Sequence, residues 1–229
     1  MIVLAIECSA KAASAAVLRD GELLCEVYNE NGKTHSETLM PAVETALKKG
    51  GVSHKDIDLF AVSEGPGSFT GIRIGLAAVK GMAFPDKKVV PLSTLEVIAR
   101  AFADKYGTGE YTLCAVMDAR CGQFYNANFT VKDGVITRLC DDRAVPGEQI
   151  AEELKGKNKV CIAGDGAAVF CEKFGHQNSG CAQRASAVAR LAFDNSDLAQ
   201  DQGTVFGKYL RRPQAERERL AKQEDEKKA

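Results

Sequence analysis

Glu64-Gly65-Pro66-Gly67-Ser68-Phe69-Thr70-Gly71-Ile72-Arg73-Ile74-Gly75 is the stretch on which the reading of this chain turns. A strand-like run, Asp58 to Ser63, leads into it, and a helix-like run leads out of it to about Phe84. Glycines therefore mark a strand-to-helix junction, and small residues continue into the helix. Such a junction either holds an anion on backbone N–H groups or admits another backbone at close range. The spacing weighs against the anion. Gly65-x-Gly67-x-x-x-Gly71 is one residue off the dinucleotide pattern, and Thr70 stands where a glycine belongs. The next strand ends in Val90-Pro91-Leu92-Ser93, with no carboxylate for a ribose. A P-loop fails as well, since no lysine follows Gly71. In the helix, Gly71, Gly75 and Ala78 share one face, and Ala77 and Gly81 form an adjacent strip. Each glycine costs roughly 1 kcal/mol against alanine. Close backbone contact offsets that cost, either inside the chain or across a subunit interface. For an interface, the neighbouring helix, Glu37 to Lys49, offers Met40, Val43 and Leu47.

Working outward, Ile2 to Ile6, Ala13 to Leu18 and Glu22 to Tyr28 predict an antiparallel meander, with Asp20-Gly21 as a hairpin turn. After the loop Asn31 to Ser36, a helix with Leu39, Val43, Ala46 and Leu47 on its apolar face runs to Lys49, where Gly50-Gly51 ends it. Leu59 to Val62 has a helix on each side in sequence, which predicts a parallel strand reached by a crossover. Lys88 to Leu92 is a strand, and Ser93 or Thr94 caps a helix from Leu95 to about Ala103. The second half repeats the order. Tyr111 to Met117, Gln123 to Val131 and Val135 to Leu139 are strands, followed by a helix at Glu148 to Leu154, a strand at Lys159 to Ala163 and helices to Phe174 and over Ala185 to Phe193. A duplicated α/β order predicts two lobes with a cleft between them. Their boundary falls at Lys105 to Glu110, which gives lobes 1–105 and 106–205, with 206–229 completing the first. Pro213 to Ala229 alternates charge and reads as a solvated helix.

The chain has 229 residues, 45% of them apolar, and 30 Lys+Arg against 31 Asp+Glu. A net charge of −1 argues against nucleic-acid binding by bulk charge. No run approaches the ~20 apolar residues of a membrane span. The N-terminus begins directly on a strand without signal-peptide features, so a cytoplasmic protein is expected. Eight cysteines include no C-x-x-C pair and read as buried, reduced thiols. A metal-binding pair on a helix needs a second histidine four residues after His35, and that position is Leu39. Ser9 and Ser68 lack His and acid partners, and Cys8 lacks a basic activator. Three loops after strands would face the cleft: Glu7-Cys8-Ser9, Glu64 to Gly71 and Gly164-Asp165-Gly166.

The Gly-Pro-Gly-Ser-Phe-Thr-Gly-Ile-Arg-Ile-Gly core resembles the signature of the TsaB family, bacterial partner subunits in making threonylcarbamoyladenosine on tRNA. Leu4-Ala5-Ile6 with Ser9, His35-Ser36-Glu37 to Pro41, Met117-Asp118-Ala119-Arg120, Gly164-Asp165-Gly166 and Tyr209-Leu210-Arg211 match in order. The resemblance implies an α/β, actin-like or sugar-kinase-like ATPase fold of two ribonuclease-H-like lobes. It also implies a pseudoenzyme with no metal or cofactor, because the catalytic sister subunit TsaD carries a metal-binding His pair where this chain has His35 and Leu39. The two helices around the Gly-rich loop are implied to pair with TsaD. The ATPase TsaE joins that pair, a homodimer uses a similar surface, and tRNA is reached through the complex. On this chain the implied partner-binding residues are Glu37, Met40, Val43, Leu47, Phe69, Thr70, Gly71, Arg73, Ile74, Gly75, Ala77, Ala78 and Gly81. A vestigial nucleotide cleft is implied at Glu7, Ser9, Asp118, Gly164, Asp165 and Gly166. Glu7-Cys8-Ser9 departs from the Asp-Thr-Ser of the family, and its bulk argues against a nucleotide there. The alternative is a catalytic nucleotide-dependent transferase or ATPase using Ser9, Asp118 and Asp165.

Overall fold

A computed structural model describes residues 1–211. The first half contains β1 (Ile2–Glu7), β2 (Ala13–Arg19), β3 (Glu22–Asn29), α1 (His35–Gly50), β4 (Leu59–Gly65), α2 (Phe69–Ala83), β5 (Lys88–Ser93) and α3 (Thr94–Tyr106). The second contains β6 (Glu110–Asp118), β7 (Gln123–Lys132), β8 (Val135–Arg138), β9 (Arg143–Pro146), α4 (Gly147–Leu154), β10 (Val160–Ala163), α5 (Ala167–Phe174), α6 (Ala185–Asp194) and β11 (Gln200–Asp201). The expected charged helix over 213–229 lies outside the described residues. Among the described residues, no helix is long and apolar enough to cross a membrane.

The first sheet runs β11-β5-β4-β1-β2-β3 and the second β10-β6-β7-β8, with β9 pairing β7. Both place a three-stranded antiparallel meander beside a parallel fourth strand, β4 on β1 and β10 on β6. The expected duplication is therefore present in the pairing itself. Strand alternation then builds two cores per lobe. Leu4, Ile6, Val17, Phe60 and Val62 face α1 and α2, while Val3, Ala5, Leu18, Leu59 and Ala61 face the other way onto α6.

The division at residues 105 and 106 is not the one that packing follows. α6 lies on the first sheet, where Ala187, Val188, Leu191 and Ala192 cover Val3, Ala5 and Leu59. β11 also joins that sheet, through β5. In exchange, α3 places Leu95, Ile98, Phe102 and Ala103 on Leu113, Ala115, Met117 and Phe129 of the second sheet. Its remaining apolar side, Val97 and Ala101, meets the core under α6. Each lobe thus borrows a helix from the other half of the chain. The short strands β9 and β11 were not expected from the sequence.

Both helices that flank the Gly-rich loop are capped by their own sequence. Glu37 accepts the Thr34 backbone N–H (3.0 Å) in a capping box, and Gly51 closes α1 in the left-handed conformation. Ser68 Oγ accepts the Gly71 N–H (3.2 Å) at the start of α2.

Candidate functional site

The Gly-rich junction is filled by the protein's own backbone. A side chain at Gly67 would run into the Ser9 carbonyl oxygen, which accepts the Ser68 N–H at 2.7 Å. At Gly65 the obstacle is the Lys208 carbonyl oxygen, and Lys208 N–H donates to the Glu64 carbonyl at 2.7 Å. Gly65 and Gly67 have positive φ, +124° and +154° respectively, which side-chain-bearing residues rarely adopt. Of the two uses the sequence allows, close backbone contact is the one observed.

That contact corrects part of the expected partner surface. Gly71 and Gly75 are buried against β1: a Cβ on Gly71 would fall inside 3.0 Å of the Cys8 carbonyl oxygen, and one on Gly75 would sit 3.5 Å from Cys8 Cβ. Val43 is likewise in the core, 2% exposed. These three residues are buried within the described chain. Ala78, on the same face, is half-buried against the same core. The outward strip consists of Thr70, Arg73, Ala77 and Gly81 on α2 and Glu37 and Met40 on α1, with Leu47, Phe69 and Ile74 half-buried at its edges. A Cβ on Gly81 would meet nothing within 4 Å. Nothing in the described chain therefore accounts for the cost of a glycine inside that helix.

Between the lobes lies a cleft of about 690 Å³, lined by Ser9, Lys11 and His35 from the first lobe and by Asp118, Arg120 and Asp165 from the second. Gly67 to Thr70 and Lys208 to Arg211 complete its wall. Ser9 is 1% exposed and Glu7 2%, so Glu7 sits beneath the cleft rather than in it. Glu7 Oε1 accepts from both the N–H and the hydroxyl of Ser9 (2.5 Å each), and Oε2 accepts from Ser63 Oγ. Burial pushes the Glu7 carboxyl up, against the hydrogen bonds from Ser63 and Ser9 and the nearby His35. Asp165 is pushed up to about 6, first by burial and then by the charges of Asp118 and Glu7. Gly164 and Gly166 do not line the cleft. They let the turn before α5 cross the end of β6, where a Cβ would meet the Val116 carbonyl and the Asp118 N–H, respectively. Cys8 is buried and its thiol is raised by that burial, which removes it as a nucleophile.

Two cleft residues, Lys11 and Lys208, were not named from the sequence, while Arg120 was named only within Met117-Asp118-Ala119-Arg120 and His35, which donates to the Ala12 carbonyl (3.3 Å), only within His35-Ser36-Glu37 and as half of a metal pair. The signal for Lys208 lay in Tyr209-Leu210-Arg211, which marked the segment without saying where it docks.

The family profile described as TsaD, tRNA N6-adenosine threonylcarbamoyltransferase, matches residues 24–217. The tRNA threonylcarbamoyladenosine biosynthesis protein TsaB of Bacillus subtilis (strain 168) is 31% identical over 166 residues, 71% of this chain and 69% of that protein. Among solved structures, YeaZ from Pseudomonas aeruginosa superposes with a TM-score of 0.77 at 25% identity, covering 91% of this chain and 99% of that one. The activator of the 2-hydroxyisocaproyl-CoA dehydratase from Clostridium difficile, with bound ADPNP, superposes with a TM-score of 0.51 at 12% identity, covering 86% and 96%. This last likeness concerns the fold alone. The expected actin-like, sugar-kinase-like ATPase fold is borne out.

Proposed function

The chain belongs to the TsaB family of tRNA threonylcarbamoyladenosine biosynthesis proteins, and from that premise we propose that it is a non-catalytic cytoplasmic subunit of the complex that makes this modification. It pairs through the outward strip of α1 and α2 with the catalytic transferase TsaD and supports recruitment of the ATPase TsaE. A second copy of the chain uses the same strip when TsaD is absent, and tRNA is reached through the complex.

The observation that carries this reading is the outward strip. Met40 is 41% exposed, and beside it Ala77 and Gly81 leave a low, open surface on which another helix can lie close. Two further features support a non-catalytic role. The position four residues after His35 is Leu39, 1% exposed in the core, so the helix turns an apolar side chain inward there. The Gly-rich loop spends its glycines on Ser9 and Lys208 rather than on a ligand.

Ala77→Arg and Met40→Glu alter exposed side chains and leave the core alone. Each is expected to weaken the complex with TsaD by at least about 100-fold, as for loss of an interface anchor, and to abolish modification in a reconstituted reaction. If both variants bind within about threefold of the wild type, the face is wrongly assigned. A nucleotide-dependent catalytic member of the fold is the second reading, favoured by Asp118 and Asp165 in the cleft wall. Titration calorimetry with ATP and Mg²⁺ on the chain alone separates the two: binding with turnover overturns the non-catalytic reading.

A further inference from the structure

Past Val205, which is buried in the first lobe's core, residues 206–211 run without helix or strand. One set of contacts ties them to the first lobe. Lys208 N–H donates to the Glu64 carbonyl at 2.7 Å, and the Lys208 carbonyl oxygen fills the space a side chain at Gly65 would need. The Tyr209 ring packs 4.8 Å from that of Phe69, and the Arg73 guanidinium lies 3.8 Å over Phe69. A second set ties them to the other lobe. The Lys208 amino group lies 3.5 Å from Asp142, whose side chain is 1% exposed and already accepts from Ser93 and Arg138. The Arg211 guanidinium donates to the carbonyls of Ala119 and, at 3.2 Å, Arg120. Residues 208–211 are also part of the cleft wall.

Six residues thus bridge both lobes across the cleft, yet little of the segment is buried: Phe206 is 71% exposed and Tyr209 39%. A segment held by a few ring and polar contacts opens locally far more often than the lobes unfold. The lobes share α3 as an apolar seam, so the motion left to them is a rotation about that helix, which opens the cleft edge unless something spans it.

We propose that residues 206–211 are a clasp. Closed, the clasp holds the lobes at one separation and covers the flank of α2 at Phe69. Released, it lets the cleft widen and bares that flank. Gly65 is the fixture that makes docking possible, since any side chain there displaces the Lys208 carbonyl. The device needs no particular partner, so it stands or falls apart from the role in tRNA modification.

Hydrogen–deuterium exchange on the full chain, resolved by residue, tests it. In the wild type the Lys208 amide is expected to exchange at least about tenfold more slowly than an unstructured amide, yet faster than the amides of β1. In a Tyr209→Ala, Arg211→Ala double variant, exchange at Lys208, at 67–70 and at 117–120 is expected to rise at least about tenfold, with β1 and β6 unchanged. Arg211→Gln removes one of the two ties to the second lobe, leaving the Lys208–Asp142 pair, and is expected to raise exchange at 117–120 alone. An unprotected Lys208 amide in the wild type overturns the clasp, and that measurement needs no variant to fold. Unchanged exchange at both 67–70 and 117–120 in the double variant overturns it too.

Discussion

Three glycines in one helix offer a graded test of what each is for. Replacing glycine by alanine inside a helix gains about 1 kcal/mol of intrinsic propensity. At Gly81 a new Cβ meets nothing within 4 Å, so Gly81→Ala should keep that whole gain. At Gly75 the nearest atoms would be Cys8 Cβ at 3.5 Å and Ile6 and Val62 methyls at 3.6 Å, which is ordinary contact. Gly75→Ala should therefore be neutral to stabilising by up to about 1 kcal/mol. Gly71 differs: the obstacle is the Cys8 carbonyl, a backbone atom at the end of β1, with the Cys8 carbonyl carbon and His35 Cε1 both 3.2 Å away. That end of β1 is itself held by the Ser9–Ser68 backbone bond and the Glu7 side chain. It cannot yield cheaply, and overpacking of this kind costs about 1–3 kcal/mol or more. Gly71→Ala should then lie about 2 kcal/mol or more below Gly81→Ala. Urea denaturation reads this as a shift of midpoint at constant slope. If Gly71→Ala proves as stable as Gly81→Ala, the close approach of α2 to β1 is wrong. The Gly81→Ala protein carries a second readout, because a methyl group that helps the isolated chain should weaken the complex with TsaD proposed above.

Asp165→Asn should make stability less dependent on pH. A carboxyl raised from 3.8 to about 6 holds its proton more tightly when folded, so the wild type loses stability as pH rises between those values and levels off above them. The variant lacks that loss and should gain at pH 7, by about 1 kcal/mol once solvent screening of this exposed side chain is allowed for, and nothing near pH 3; equal gains at both pH values would contradict the assignment. Ser93→Ala removes both the α3 cap on Glu96 N–H (3.4 Å) and a donor to buried Asp142 (2.7 Å). It should cost about 1–3 kcal/mol in thermal or urea unfolding, and Ser93→Thr should recover most of it.

The first three strands and β4 were legible because alternation and Asp-Gly turns are local signals. The exchange of α3 and α6 was not. Amphipathicity says that a helix buries a face but not which sheet receives it. One sign was present, since α3 is apolar on two sides, Leu95, Ile98 and Phe102 on one and Val97 and Ala101 on the other. That pattern fits a helix lying between two sheets better than one on a surface. The same ambiguity misdirected the glycines. Gly71, Gly75 and Ala78 were correctly grouped on one face, but the direction of that face lay in its companions. Ile72, Leu76 and Val79 flank it and need burial, whereas Ala77 and Gly81 sit beside Arg73. β9 and β11, of four and two residues, are too short to carry a period at all.

The return of α6 to the first sheet has a consequence for how the protein is made. Residues 1–93 leave the ribosome with one face of their sheet satisfied by α1 and α2. The other face, Val3, Ala5, Leu18, Leu59, Ala61 and Val90, waits for side chains that lie between residues 187 and 192. The lobe that is synthesised first is therefore the lobe that is finished last, and the second lobe can assemble on α3 in the interval. At translation rates of about 5–20 residues per second, that interval is roughly 5–20 s of exposed apolar strand. During it, the nascent chain is most in need of shielding.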